Sequence, residues 1–519
     1  MITNRQMRDA MTSFDYTANG EAATQRLAYW LRPLIVAPTF ISLVGDLGVG
    51  KTAFARAFVQ AHCGAATLVP SPSFTLMQHY QADNVTLMHA DLYRLGDADE
   101  VYELGLLEAM DEHICLVEWA DKGGDILPMA DLRIELSMVE GAPDSRHIKL
   151  SSNDPSCLQG LEKARQRDQQ VEGFLATTPW SAHAAHRAPL AGDASTRRYD
   201  RLTQADGARA VLMDWQAGPD GAAHYDGKPY SQVVHLAEAA PAYLQINQWL
   251  QAHDLSVPNV LASDPEQGLV LLEDLGDTTL AALDKASDKT RDKTNDADLR
   301  PVFYAEAVAN LVHLHAQDAA DFLADYDGHV QAIESSLFLD WYLPWRGMEV
   351  AAEARADWMA LWQGLGDSLL DGPKVTVLRD FHSPNLLWRH HRQARYRVGL
   401  IDVQDALAGH AAYDLVSLLQ DARLDVGASQ VEASYQAYIN ARLDGDADKA
   451  RFARAYAIAG AQRNLKIAGI FVRLAQRDAK PAYLDHLPRV LAYIDQNLAH
   501  PALANVVAWL ELHAKAFRA

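Results

Sequence analysis

The sequence predicts an α/β domain built on a largely parallel sheet, followed by an α+β region with a strand-rich and then a helix-rich lobe. Three observations point there. From about Phe14 to Leu150, short apolar runs alternate with helical stretches, the rhythm of repeated βαβ units. After the polar break Ser151–Ser156, which contains Pro155, strand-like segments come first and helical ones fill the rest. A chain of 519 residues also exceeds what one core usually organises. The boundaries suggested are 1–152 for the first domain, 153–159 for a linker, 160–277 for a strand-rich lobe and 278–519 for a helical lobe.

The elements follow in order. "FISLVG" (Phe40–Gly45) and "ICLVEW" (Ile114–Trp119) are near-continuous apolar runs, as strands buried on both faces tend to be. "DLRIELSM" (Asp131–Met138) reads as a further strand, and "TAFARAFVQAH" (Thr52–His62) has helical periodicity. "LQGLEKARQRDQQVEGFLA" (Leu158–Ala176) is expected to be a helix that opens the next domain. There "APLAGDASTRRYDRL" leads into "ARAVLMDW", and "GLVLLEDLGD" (Gly268–Asp277) is a strand ending in a turn. The charged, apolar-poor "LDKASDKTRDKTNDADLR" (Leu283–Arg300) reads as a solvated loop.

Apolar residues make up 49% and charged residues 22%, ordinary values for a soluble globular protein. The net charge of −22 argues against a broad basic surface, so no strong direct nucleic-acid binding is expected. An RNA-linked role through a protein partner stays open. The three cysteines, Cys63, Cys115 and Cys157, have neither pairing nor metal spacing, which suits a reducing compartment. With no basic-then-apolar leader and no apolar run of roughly 18–20 residues, a cytoplasmic location away from membranes is expected.

"GDLGVGKT" fits G-x-x-x-x-G-K-[ST] with Gly45, Gly50, Lys51 and Thr52. Those glycines and Gly48 let backbone N–H groups turn toward phosphate oxygens. Lys51 can reach the terminal phosphates and the Thr52 hydroxyl can ligand Mg2+. The preceding apolar strand and following helix are the required context. A second acid should stand at a neighbouring strand end. Asp91 in "HADLYRL" and Glu118 in "CLVEWA" both qualify, and spacing does not choose between them.

These motifs, with "SPSFTL" (Ser71–Leu76), "LGL" (Leu104–Leu106) and "VEWADK" (Val117–Lys122), occur in the order found in the TsaE family, which residues 14–150 resemble. That family is the small ATPase subunit of the bacterial machinery making threonylcarbamoyladenosine in certain tRNAs. The resemblance implies a P-loop NTPase fold, ATP with Mg2+, and tRNA-modification proteins as partners. It puts Thr52 and Asp91 or Glu118 at the metal, counts Glu118 among the catalytic groups, and sets Trp119 near the nucleotide beside a sensing loop, "SPSF". Lys122 stands where arginine is commoner, with the charge kept. A rival reading is a nucleotide-gated interaction module with little turnover, since no assembled arginine finger is evident.

Four later segments fall in the order a kinase-like phosphotransferase requires. "AGDASTRRY" (Ala191–Tyr199) would cover the phosphates and "LLEDLGD" (Leu271–Asp277) would be the hinge meeting adenine near Glu273 and Leu275. "LRDFHSPN" (Leu378–Asn385) would be the catalytic loop and "LIDVQDA" (Leu400–Ala406) the metal-binding strand. Asp380 would orient the acceptor hydroxyl or take its proton, while Asn385 and Asp402 would hold Mg2+. Residues of about 160–519 resemble the aminoglycoside-phosphotransferase-like small-molecule kinases, which implies a protein-kinase-like bilobal fold using ATP, with Ser195 and Arg197 toward the phosphates. Within that superfamily, "PLAGDASTRRYDRL", "VLLEDLGD" and "VLRDFHSPNLLW" look most like bacterial cell-wall sugar kinases, which phosphorylate the anomeric hydroxyl of N-acetylmuramate or N-acetylglucosamine.

Two departures matter. Leu378 stands where the general pattern has a supporting histidine, and Met213 stands where a phosphate-pairing lysine is expected. Arg197 and Arg198 are the candidates to replace that lysine. For the sugar, the aromatic group Trp341, Tyr342, Trp345 with Arg346 is nominated, against plain helix packing. His382 reads as a loop-packing residue and His390/His391 as a polar turn. Other acceptors (choline, homoserine, an aminoglycoside) stay open. So does a non-catalytic scaffold, which Met213 favours and the retention of Asp380, Asn385 and Asp402 opposes.

Overall fold

The computed structural model describes residues 12–64, 66–82, 85–181, 185–190, 197–218, 223–225, 227–283 and 299–518. The chain divides into two compact units, Met1–Gly173 and Phe174–Ala519.

The first unit carries a seven-stranded sheet in the order β1-β7-β6-β2-β5-β4-β3. Its strands are β1 (Thr12–Asn19), β2 (Thr39–Val44), β3 (Met77–Ala82), β4 (Val85–Asp91), β5 (Ile114–Glu118), β6 (Leu132–Val139) and β7 (Ala142–Ser152). The four central strands β6, β2, β5 and β4 run parallel, while β3, β7 and β1 pair antiparallel at the edges. All of β5 is buried, as its unbroken apolar run requires. Helices α1 (Glu21–Leu31) and α2 (Lys51–Cys63) set Leu27, Leu31, Phe54 and Phe58 against Ile41 and Leu43 of β2.

Helix α3 spans Pro155–Ala176, so residues 155–159 of the expected linker form its first turn. Its Cys157, Leu158 and Leu161 are buried in the first unit's core rather than opening the second. The reason is an apolar stripe that needs a partner, with Gly160 lying so close to Leu34 that a side chain would collide with it.

The second unit begins with an antiparallel five-stranded sheet in the order β13-β14-β10-β9-β8. In chain order come β8 (Ala185–Pro189), β9 (Arg198–Gln204), β10 (Arg209–Asp214), the small pair β11 (Ala223–Tyr225) and β12 (Lys228–Pro229), helix α4 (Ala240–Ala252), β13 (Val260–Asp264) and β14 (Leu269–Glu273). The helical lobe follows: α5 (Arg300–Leu314), α6 (Gly328–Leu337), α7 (Ala352–Asp367), α8 (Ala412–Leu419), α9 (Ala428–Arg442), α10 (Gly445–Gln476), α11 (Leu487–Leu498) and α12 (Ala504–His513). Two short ladders sit within it. The strand β15 (Val375–Val377) pairs with β18 (Leu407–Gly409), and β16 (Leu386–Trp388) pairs with β17 (Val398–Leu400). Most of the segment expected to be a charged loop, residues 284–298, lies outside the described residues.

The helical lobe is organised by α10, whose 32 residues span about 48 Å at helical rise. Around it packs an aromatic cluster in which Phe338 stacks on Tyr342 (4.9 Å) and Trp358 meets Trp509 (4.6 Å). The Tyr342 hydroxyl donates to the Phe517 carbonyl at 2.7 Å, and Trp345 is partly exposed beneath Arg346. Of the nominated sugar platform, Tyr342 therefore belongs to helix packing, because it is used to seal the lobe's core, while Trp345 stays exposed.

Gly469 of α10 faces the Leu337 carbonyl so closely that a Cβ there would collide with backbone, whereas Gly364 on the exposed face of α7 has open space around it. Gly469→Ala should lower the unfolding free energy of the second unit by about 1–3 kcal/mol. Gly364→Ala should instead raise it by about 0.5–1 kcal/mol through helix propensity. Urea midpoints of the two variants moving in opposite directions would verify both.

Candidate active sites

In the first unit the parallel strands β2, β5 and β4 end level with one another. Register pairs Leu43 with Glu118 and Asp91 with Glu118, so strand ends alone bring the phosphate loop and both candidate acids to one edge. The loop leaves β2 at Gly45 (φ 141°) and enters α2 through Gly50 (φ 113°), both backbone shapes that a side chain resists. A Cβ at Gly45 would also strike the Leu136 carbonyl. Gly48 has φ 77° at the loop's crown. From β7, Arg146 Nε donates to the Val49 carbonyl at 2.7 Å and holds the loop's rear.

Lys51 folds back over its own loop, donating to the Gly45 and Asp46 carbonyls at 2.8 and 3.0 Å. Its ammonium lies 3.9 Å above the Trp119 ring, which the positive φ of Trp119 (59°) turns toward it. Burial pushes its pKa down, against the pull of Glu118, Asp91 and Asp46. Thr52 Oγ1 donates to both Glu118 oxygens, at 2.8 and 3.0 Å. Asp91, one strand farther, accepts from Ser73 Oγ of "SPSF" at 3.1 Å and from the Tyr93 amide at 3.0 Å. Hydroxyl and carboxylate oxygens here fit a hard divalent cation, which seeks oxygen ligands. The sequence reading missed His89, fully buried, whose Nε2 lies 2.9 Å from Glu118 Oε1. A histidine in the middle of a buried strand was the available signal.

In the second unit a cleft of about 630 Å³ runs between the sheet and the helical lobe. Arg197, Met213, Glu273 and Leu275 line it from the strand side, and Asp380, His382, Asn385 and Asp402 from the helical side. Ser195 and most of the expected phosphate-covering hairpin lie outside the described residues. The catalytic loop connects β15 to β16, and the ladder of β16 with β17 sets Asn385 against the segment entering Asp402. The Ile401 amide donates to the Asn385 carbonyl at 3.1 Å. Asn385 Nδ2 donates to the Asp380 carbonyl at 3.0 Å, bracing the loop across its mouth.

The vacancy of a lysine at Met213 is real: the residue is buried in β10 between Tyr199 of β9 and Val270 of β14. Arg197 reaches the same cleft and pairs with Asp402 Oδ1 at 2.8 Å. Arg198 is exposed. The Glu273 carboxylate is occupied by Arg389 and by Asn259 Nδ2 (2.7 Å), so its side chain serves the hinge's rigidity.

Beneath the loop lies a charge network that the sequence reading missed. Arg379, forced to φ 67°, places its guanidinium on Glu334, which also receives Lys466 Nζ (3.1 Å), Gln462 Nε2 (3.1 Å) and the Tyr326 hydroxyl. Burial raises the Glu334 pKa, but Lys466 and Arg379 overcome it and bring the group down to about 2. Asp414 accepts the Leu378 and Arg379 amides at 2.8 and 2.9 Å, clamping the backbone just before Asp380. Asp380 itself is subject to burial, which raises its pKa, yet His382, Arg463, Lys466 and Arg379 hold it below the usual range. It is thus ionised and ready to accept a hydroxyl's hydrogen. His382, expected only to pack the loop, sits in the cleft 4.0 Å from Asp380, with its pKa lowered by burial. His390 and His391 lie on an exposed turn. Arg463 and Lys466, charges inside the apolar run of α10, were the sequence signal for this network.

The model of the threonylcarbamoyl adenosine biosynthesis protein TsaE family matches residues 18–148, and that of the phosphotransferase enzyme family matches residues 186–453. An N-acetylmuramate/N-acetylglucosamine kinase of Caulobacter vibrioides is 35% identical over 344 residues, covering 63% of this chain and 91% of that protein. One from Neisseria meningitidis is 35% identical over 310 residues, covering 59% and 83%. A tRNA threonylcarbamoyladenosine biosynthesis protein TsaE of Rickettsia conorii is 39% identical over 122 residues, covering 23% of this chain and 70% of that protein.

The Glu334 network makes a stability prediction. A folded pKa of about 2 against an ordinary 4.5 means that the folded state binds fewer protons on the acid side. The stabilisation, about 3 kcal/mol, is complete above the ordinary value and is lost as pH falls toward 2. Glu334→Gln should therefore destabilise the second unit at neutral pH. Chemical denaturation from pH 7 down to 2.5 should show the gap between the two proteins closing.

Proposed function

We propose, for a chain that belongs to the TsaE family over its first unit and to the phosphotransferase enzyme family over its second, that it is a bifunctional ATP-using enzyme. The first unit serves as the ATPase subunit of the tRNA threonylcarbamoyladenosine machinery, working with that machinery's proteins. The second transfers the γ-phosphoryl group of ATP to the anomeric hydroxyl of N-acetylmuramate or N-acetylglucosamine, in cell-wall recycling. One observation carries the second part: Asp380, Asn385 and Asp402 converge on a single cleft in which Asp380 is held ionised.

In the first unit, the loop amides and Lys51 receive the phosphates, and Thr52 with Glu118 holds Mg2+. Asp91, tied to Ser73, is assigned to sensing through "SPSF". Trp119 covers Lys51 and the nucleotide. In the second, the backbone at Glu273–Leu275 meets adenine, and Asn385 and Asp402 are the Mg2+ ligands. The metal's contribution is to neutralise charge on the transferring phosphoryl group. Asp380 orients the sugar hydroxyl and accepts its proton. Arg197 supplies the cation that Met213 cannot, parked on Asp402 until ATP arrives.

The decisive assay is sugar 1-phosphate formation from ATP and either sugar; wild-type protein forming none would remove the kinase assignment. Asp380→Ala should cut transfer by roughly 10²–10⁴-fold, while ATP hydrolysis measured with the tRNA-modification proteins persists. Lys51→Ala should do the reverse. Separately, Arg197→Ala should raise KM for ATP and lower kcat by about tenfold or more, with Arg198→Ala near wild type. Equal effects of the two would transfer the phosphate-binding role away from Arg197.

A further inference from the structure

One face of α10 turns toward the cleft of the second unit. Arg463, Lys466, Ile470 and Arg473 all line that cleft, at the three- and four-residue steps that put side chains on one helix face. These cations are not equivalent. Lys466 pairs with Glu334 and also donates to the Tyr413 hydroxyl at 2.8 Å. Arg379 pairs with the same carboxylate, and Asp405 acts on it as well.

Arg463 is placed differently. It is 4% exposed, it lies 5.6 Å from the Tyr413 ring centroid, and its Nε has no hydrogen-bond partner among the described residues. Against the cost of burial, Tyr413 acts on it first, by charge and by a side-chain hydrogen bond, and Asp380 and Asp421 act on it as well, which sets it beside the catalytic loop with only its Nε edge open. Among the described residues Asp421 makes no ion pair with it, and its oxygens accept the Ser383, Arg423 and Leu424 amides. A second arginine, Arg423, reaches the same corner, its NH1 3.4 Å from His382 Nδ1, while His382 Nε2 is 4.0 Å from Asp380. Two guanidinium groups thus border the loop of the acid that receives the hydroxyl, Arg423 beside His382 and Arg463 within the field of Asp380.

Burying an arginine with an open Nε edge is costly unless an anion completes it. That edge presents two parallel N–H groups to a planar, two-oxygen partner. The proposed acceptors differ in this respect: N-acetylmuramate is the amino sugar carrying a lactyl carboxylate, one ring substituent away from the anomeric centre, and N-acetylglucosamine lacks it. We infer that Arg463, assisted by Arg423, is the subsite that binds the acceptor's carboxylate and sets the preference for acidic over neutral amino sugars. The inference rests on the sugar-kinase reading and deepens it. Asp380 and the metal ligands handle both sugars alike, whereas Arg463 distinguishes them.

The test is the ratio of kcat/KM for N-acetylmuramate to that for N-acetylglucosamine, measured on the full chain with saturating ATP. Arg463→Gln should lower this ratio about 30-fold, the worth of a charge-assisted pair, mainly through KM for the acidic sugar. N-acetylmuramate methyl ester, the same shape without the charge, should show no such change. Arg423→Gln, at a less buried position, should lower the ratio in the same direction and decides the matter if Arg463→Gln does not fold. An unchanged ratio in the folded variants, with both sugars losing equally, would overturn the inference and leave Arg463 as a support for Asp380. A wild-type protein that phosphorylates neither sugar would instead overturn the kinase reading itself, and the subsite with it.

Discussion

A charge taken out of water has to be matched inside the protein, and both units are arranged around that requirement. In the second, Glu334 is wholly buried and receives Arg379, Lys466 and Tyr326 together. Its pairing with Arg379 anchors a residue of left-handed backbone just before Asp380, at the turn that aims that carboxylate into the cleft. Asp414 completes the clamp from α8 by taking two successive amides. Sequence-distant helices α6, α8 and α10 therefore converge on the three residues Leu378, Arg379 and Asp380.

The first unit meets the same requirement by simpler means. Its acids stand at the ends of neighbouring parallel strands, where the sheet's own hydrogen bonds put Leu43, Glu118 and Asp91 in line. Lys51 is neutralised locally by two carbonyls of its loop and an aromatic face, and Glu118 is held between Thr52 and His89. The charges are thus compensated ahead of any phosphate, and Lys51 has to leave its own loop's carbonyls to meet one. In the second unit Arg197 plays a comparable part, since its pairing with Asp402 keeps both groups compensated in a cleft of low polarity.

How much of this was legible in the sequence differs between the units. The phosphate loop, Asp91, Glu118 and Trp119 could be read because their geometry is local: a glycine pattern, strand ends and one helix. Asp380, Asn385 and Asp402 could be read for the same reason, as they lie on the segments between the strands of two short ladders close in sequence. The aromatic stretch Trp341–Arg346 misled because composition cannot say which way a helix faces. Tyr342 turned out to donate to Phe517, at the other end of the unit. His382, read as a loop-packing residue, is buried in its own loop against Asn385 and also lines the cleft.

By itself, then, the sequence determined the presence of two nucleotide-type sites, their phosphate loop and catalytic loop, and the α/β and α+β layouts, since periodicity and short motifs act over a few residues. Only the tertiary structure decided which acid faces Thr52, which arginine reaches the cleft beside Met213, and which carboxylate each buried cation meets. Those outcomes depend on distances between side chains a hundred or more residues apart, as with Glu334 and Lys466. They follow from which charges the core can neutralise once it has closed, and no local pattern carries that information.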